Sequence, residues 1–150
     1  MTFKPHITVA ALVRRKDRYL IVEEIYDGRK VYNQPAGHVE AGETVVEACA
    51  REALEESCWR VRPSHLIGVY VYKAPNGVTY YRFGLAAEAL EETGHTLDED
   101  IVAVHWLTLK EMQALHNRGE LRSPLVLKLI EDDLAGQAYP LNLIHEGSNG

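Results

Sequence analysis

The segment GHVEAGETVVEACAREALEESCW, residues 37–59, constrains this chain more than any other. Thr44 and Glu47 have the Thr-x-x-Glu spacing of a capping box, which satisfies two otherwise orphaned amides at a helix start. An apolar-periodic run follows, so the spacing predicts a helix over 45–57. At about 100° per residue, Glu52, Glu55 and Glu56 fall within an arc of roughly 100°. Ala48 falls in the same arc one turn earlier, where its small side chain leaves room. Val46, Cys49, Ala50, Ala53 and Leu54 make the adjoining apolar face, and Arg51 lies about 40° beyond Glu55. One side of the helix therefore packs on a sheet while one edge aims carboxylates into a cleft. Like charges this close repel by roughly several tenths of a kcal/mol per helical pair. A fold keeps such a cluster when a cation sits there, and an all-oxygen donor set favours Mg²⁺ or Mn²⁺ over zinc. A solvated acidic helix face would also show three glutamates; the glycine loop before the helix, with Glu43 and Arg51 at set separations, argues against that reading.

Those separations resemble the Nudix box, Gx5Ex7REUxEExGU with U apolar: Gly37, Glu43, Arg51, Glu52, Glu55 and Glu56 all fall in place. One position departs, since Cys58 stands where the pattern has glycine. Outside the box, FKPHITVA, NQPAGH, YYRF and LRSPLV resemble bacterial phosphatases of the same family. The resemblance implies an α/β/α sandwich with a mixed sheet, residues 1–150 forming one Nudix hydrolase domain. It implies Mg²⁺-dependent hydrolysis, with Mn²⁺ as the alternative metal, of phosphoanhydride bonds in nucleoside di- and triphosphates and thiamin-type pyrophosphates. In the family, residues matching Glu52, Glu55 and Glu56 bind metal and the carbonyl of Gly37 joins them. The residue matching Arg51 orients those glutamates, and the one matching Glu43 supports the loop–helix unit. Two rival functions are hydrolysis of ADP-ribose or another nucleotide sugar, and a Nudix-fold binding module without turnover. The intact glutamate set argues against the binder.

A formal charge of −6 excludes bulk attraction to a nucleic acid polymer but not a nucleotide ligand. Cys49 and Cys58 lie about 13 Å apart along one helix, too far to bridge, so the chain reads as reduced and cytoplasmic. HITVAALV is followed at once by charges and reads as a strand, not a signal peptide. No stretch reaches membrane-spanning length. A small-molecule phosphate or nucleotide partner and a monomer are expected.

Extended segments are expected at 6–13, 19–25 and 31–34, then around an Asn76-Gly77 hairpin between 68–73 and 78–87, and at 101–107. Residues 90–100 read as an acidic loop, and 108–115 and 123–134 as helices. Ser123-Pro124 fits an N-cap followed by proline at the first helical position. A two-residue turn at Asn76-Gly77 sets Lys73 opposite Tyr80 and Val71 opposite Arg82. One face then carries Lys73, Tyr80 and Arg82 as a phosphate and base grip, and a different loop length swaps the faces. Gln34 and His38 flank the Pro35-Ala36-Gly37 turn within reach of substrate. Arg122, just before a helix N-terminus, is a further anion candidate. Carboxylate candidates for the general base are Glu52 and, in the acidic loop, Asp98, Glu99 and Asp100. Tyr26, Tyr32, Trp59 and Trp106 read as packing residues. The histidines other than His38 show no metal-ligand spacing. Cys58 would adopt a left-handed conformation at a cost of roughly 1–2 kcal/mol, or the helix would end differently; either way it lies off the carboxylate arc.

Overall fold

The computed structural model describes residues 2–146. The chain runs β1 (His6–Arg15), β2 (Arg18–Tyr26), β3 (Arg29–Asn33), β4 (Ala36–His38), α1 (Val45–Ser57), β5 (Trp59–Lys73), β6 (Thr79–Glu92), β7 (Ile101–Thr108), α2 (Leu109–Asn117) and α3 (Leu125–Leu134). A mixed sheet has the path β3-β2-β1-β6-β5, with β4 also paired to β1 and β7 to β2. Only β1 and β6 run parallel, in register from His6↔Tyr80 to Val13↔Ala87; the other pairs are antiparallel.

Strand β1 reads as an almost unbroken apolar run because both its faces are covered. Val9, Ala11 and Val13 face one way and pack with Val45, Ala48, Cys49 and Ala53 of α1. Ala10 and Leu12 face the other way and join Met112 and Leu115 of α2 and Val126, Leu129 and Ile130 of α3. The architecture is thus the α/β/α sandwich that the resemblance implied. No helix among the described residues is long and apolar enough to cross a membrane.

The box helix spans 45–57 as expected, and its capping box is formed in both directions: Thr44 Oγ1 accepts from the Glu47 amide, and Glu47 accepts from that of Thr44. Cys58 ends it in the left-handed region, φ 64° and ψ 13°. Ala48 is corrected: it is fully buried in the core and not a space beside the carboxylates. The packed stripe is Val45, Ala48, Cys49, Ala53 and Ser57, while Ala50 and Leu54 are only half-buried.

Three other boundaries differ. Strand β5 begins directly at Trp59 and passes through Pro63, which is tolerated because β5 is an edge strand with a register shift there. Strand β6 continues to Glu92 along β5, beyond the point where its sequence turns acidic. Helix α3 starts at Leu125, and Ser123 Oγ accepts the Leu125 amide from one residue further out than an N-cap.

The hairpin register also differs. Gly77 N–H donates to Ala74 O and Ala74 N–H to Val78 O, so the loop is Pro75-Asn76-Gly77 with Gly77 at φ 88°. Pro75 pre-sets the first turn position and Gly77 supplies the positive φ of a three-residue loop. The pairs become Lys73↔Thr79, Tyr72↔Tyr80, Val71↔Tyr81 and Tyr70↔Arg82. Tyr70, Tyr72, Tyr80 and Arg82 therefore share a face, and Lys73 is turned to the opposite one.

Candidate active site

Strand β4 lies between β1 and the carboxylate edge of α1. Ala11 N–H donates to Pro35 O and Val39 N–H to Ile7 O, with Val9 opposite Gly37. In an antiparallel ladder this alternation turns the Gly37 amide and carbonyl toward β1, and those of Ala36 and His38 toward α1. The side chains of α1 meet those groups. Ala36 N–H donates to Glu56 Oε1 at 2.8 Å, and Arg51 Nη2 donates to His38 O at 3.0 Å. The Gly37 carbonyl, expected as a ligand, faces β1; the backbone oxygens on the α1 side are those of Ala36 and His38, and His38 O already accepts from Arg51. Gly37 is needed for another reason, since a Cβ there would coincide with the Glu52 carboxylate.

Arg51 is the hub of the loop–helix unit. It holds Glu43 through two bonds, Nε to Oε2 at 2.6 Å and Nη2 to Oε1 at 3.0 Å. Its Nη1 donates to Glu52 and to Glu55, each at 2.9 Å. The bidentate pair with Arg51 holds the Glu43 carboxyl below its ordinary range. Glu43 also accepts from the Glu40 amide, closing the turn before the helix. Burial pushes Glu52 up to about 7 and Glu56 to about 9. Glu55, by contrast, is turned to Arg51 with 44% of its side chain exposed.

A cleft of about 930 Å³ opens beside this unit, lined by Ala36, Gly37, His38 and Glu56 on one side and by Tyr72, Tyr80 and Arg82 on another. Arg82 is 8% exposed, yet among the described residues its guanidinium hydrogen-bonds only to the neutral oxygens of Asn33 and Gln34, at 3.3 and 3.1 Å. Burial, aided by Arg122, lowers its pKa to about 10.

A NUDIX domain model matches residues 4–129. The chain is 43% identical to the phosphatase NudJ of Escherichia coli K12 over 144 residues, 95% of this chain and 92% of NudJ, and equally to that of Shigella flexneri. It belongs to the Nudix family. A NUDIX hydrolase from Nitrosomonas europaea superimposes with a TM-score of 0.94 at 39% identity, covering 98% of this chain and all of that one. A MutT protein from Methanosarcina mazei shares the fold at 18% identity, with a TM-score of 0.73.

Nudix hydrolases generally use a divalent metal such as Mg²⁺. The residues of this Nudix hydrolase fit one. Glu52 lies against Gly37 and Glu56 against the Ala36 amide, so these two carboxylates and the carbonyl of Ala36 would supply it hard oxygen donors. Both carboxylates are buried enough to resist ionisation, a condition that a cation reverses. No three acidic, cysteine or histidine side chains are gathered into a ready metal cluster among the described residues.

Two expected substrate contacts lie elsewhere. Gln34 is fully buried; its amide donates to Val126 O at 2.7 Å and its oxygen accepts from Arg82, so it positions that arginine. Lys73 is exposed and does not line the cleft. Tyr80, Arg82 and His38 do line it. The His38 ring meets that of His6, with Nε2 and Nδ1 2.9 Å apart. Asp100 from the acidic loop lines the cleft, and Asp98 is close enough to push the Glu52 and Glu56 pKa values up.

Other cleft residues were not legible in the sequence. Thr8, Glu24 and Asn33 sit on strands whose alternation does not say which polar residue faces a ligand. Tyr26 was expected to pack; it is 43% exposed and lies under the Arg122 guanidinium, 3.4 Å from ring centroid to Cζ. Trp59 does pack as expected, edge to face with Trp106 at 5.4 Å.

Proposed function

We propose that this Nudix hydrolase cleaves phosphoanhydride bonds of nucleoside di- and triphosphates, and of thiamin-type pyrophosphates, in a Mg²⁺-dependent reaction that releases phosphate. The observation that carries the reading is Arg82: a buried guanidinium with no carboxylate within ion-pair range, in one cleft with the buried carboxylate Glu56. A buried cation that no carboxylate contacts favours an anionic ligand, and guanidinium matches phosphate geometry. The cross-strand pair Tyr72↔Tyr80 lines the same cleft and offers flat aromatic surface to a base or heterocycle. The similarity to NudJ, a phosphatase by name, supports phosphate as the released group.

Within this reading, Glu52, Glu56 and the Ala36 carbonyl hold the cation, with Glu55 able to join. Mg²⁺ supplies charge neutralisation and an activated water when bound. Arg51 keeps Glu52 and Glu55 in place, and Glu43 fixes Arg51. Arg82 binds the phosphoryl oxygens, and Gln34 and Asn33 fix its fork. A carboxylate takes the proton of the attacking water; Glu52, Asp98 and Asp100 are the ones that the fold gathers there.

The test is a panel of nucleoside di- and triphosphates, thiamin diphosphate and ADP-ribose, each with Mg²⁺ or EDTA, with products identified. Phosphate release with Mg²⁺ only is expected, and Glu56→Gln should lose on the order of 100-fold in rate while keeping its circular dichroism. ADP-ribose as the one good substrate would replace this reading with the nucleotide-sugar one. No turnover of any compound would favour a binding module.

A further inference from the structure

Arg122 lines the same cleft, and its guanidinium is held without a close carboxylate. Its backbone is fixed, because Arg122 N–H donates to Tyr32 O while Tyr32 N–H donates to Glu120 O, both at 2.9 Å. Its guanidinium lies flat on Tyr26. Its nearest carboxylate, Glu24, is 3.8 Å from Nε, beyond hydrogen-bond reach. Glu24 itself is largely withdrawn from water, with its side chain 15% exposed, and it lines the cleft beside Asn33. Arg82, the cation that lacks a carboxylate, lines the cleft too. Both guanidinium groups thus line one space, and none of its carboxylates, Glu24, Asp27, Glu56 and Asp100, hydrogen-bonds to either. Such a pair is repulsive when the space is empty and favourable when it holds a multiply charged anion.

We infer that Arg82 and Arg122 form a two-guanidinium pocket for a phosphoryl group of the substrate's polyphosphate chain, with Glu24 as the internal competitor that the anion displaces. This rests on the reading of the cleft as a phosphoanhydride site and adds to it a specificity: a chain of at least two phosphates is gripped by both arginines. Arg122 is then a positioning residue for the polyphosphate. Tyr26 holds its guanidinium plane, which a lysine could not reproduce. Glu24 lowers affinity for anions while the pocket waits, because Arg122 is drawn toward it.

The experiment measures binding of inorganic pyrophosphate by calorimetry in EDTA, so that the arginines are read without metal. Arg122→Ala is chosen over an Arg82 variant, since Arg82 is buried on Gln34 and its loss risks the fold. Wild type is expected to bind, Arg122→Ala to bind about tenfold or more weakly, and Arg122→Lys to recover only part of the loss. Glu24→Gln should bind several-fold more tightly, about 3–10-fold. Asp27→Asn removes the same charge from the same cleft without touching Arg122 and should change binding less. For the substrate found by the panel, Arg122→Ala should raise KM rather than lower kcat. An unchanged pyrophosphate affinity in Arg122→Ala overturns the pocket, as does equal tightening by Glu24→Gln and Asp27→Asn. Pyrophosphate binding that follows this pattern in a protein that turns over nothing would keep the pocket and sink the proposed reaction.

Discussion

At the scale of single residues, Gly37 has the least freedom. It sits in a short strand where any residue could adopt the backbone, so its requirement is spatial: a side chain there occupies the volume of the Glu52 carboxylate. Gly37→Ala must push Glu52 off Arg51 and out of its place beside Glu56. The expected outcome is a loss of about 10–100-fold in Mg²⁺ affinity, read by titration calorimetry, with the melting temperature changed far less. The glycine was legible as part of a spaced pattern, but its reason was not, because nothing in a one-dimensional spacing says that a carboxylate lies against it. The same holds for Gln34. Its place next to Pro35 suggested a substrate contact, yet burial made it the partner that fixes Arg82.

At the scale of elements, the joint between α1 and β5 turns on Cys58. Its left-handed backbone costs about 1–2 kcal/mol in a residue with a Cβ. Against this, the side chain is 9% exposed and its Sγ donates to His95 O at 2.8 Å, which ties the helix end to the acidic loop. Replacement by glycine relieves the first and removes the second, and the two are of similar size. Cys58→Gly should leave activity intact and the melting temperature within about 3 °C of wild type by calorimetry. The start of α1 was the most legible feature of the sequence, because capping is local and Thr44-x-x-Glu47 forms as a reciprocal box; the starts of β5 and α3 were not, since they depend on pairing and packing. The hairpin was legible only in part. A proline before Asn76-Gly77 lengthened the loop by one residue, and a period of two converted that into an exchange of faces, taking Lys73 out of the cleft.

At the scale of the whole molecule, carboxylates held by partners far along the chain tie stability to pH. Glu23 is kept below its ordinary range first by His105, 82 residues away and 2.9 Å distant, and Glu43 by Arg51. Both pKa values are lower in the fold than in the unfolded chain, where 4.5 is ordinary. Their stabilisation is therefore present above about pH 4.5 and is lost as pH falls through the folded values. Glu24, Glu52 and Glu56, whose values are raised by burial, act in the opposite sense: they cost stability as pH rises above the ordinary value, so they do not cause the loss on the acid side. The melting temperature should fall by several degrees between pH 5 and pH 3, and Glu23→Gln should flatten that fall; a fall unchanged in the variant would count against Glu23 as a source. The parallel pairing of β1 with β6, and the register that sets Tyr80 and Arg82 beside the carboxylate edge, depend on contacts between residues more than 70 positions apart. The sequence by itself determined the capped helix, the arc of its three glutamates and the family, because these depend on spacings within one continuous segment, residues 37–59. Only the tertiary structure decided which backbone carbonyls face the carboxylate edge of α1, which face of the hairpin enters the cleft, and that Arg82, Arg122 and Glu24 share one space. Each of these is settled by pairing and burial between distant segments, which no local period records.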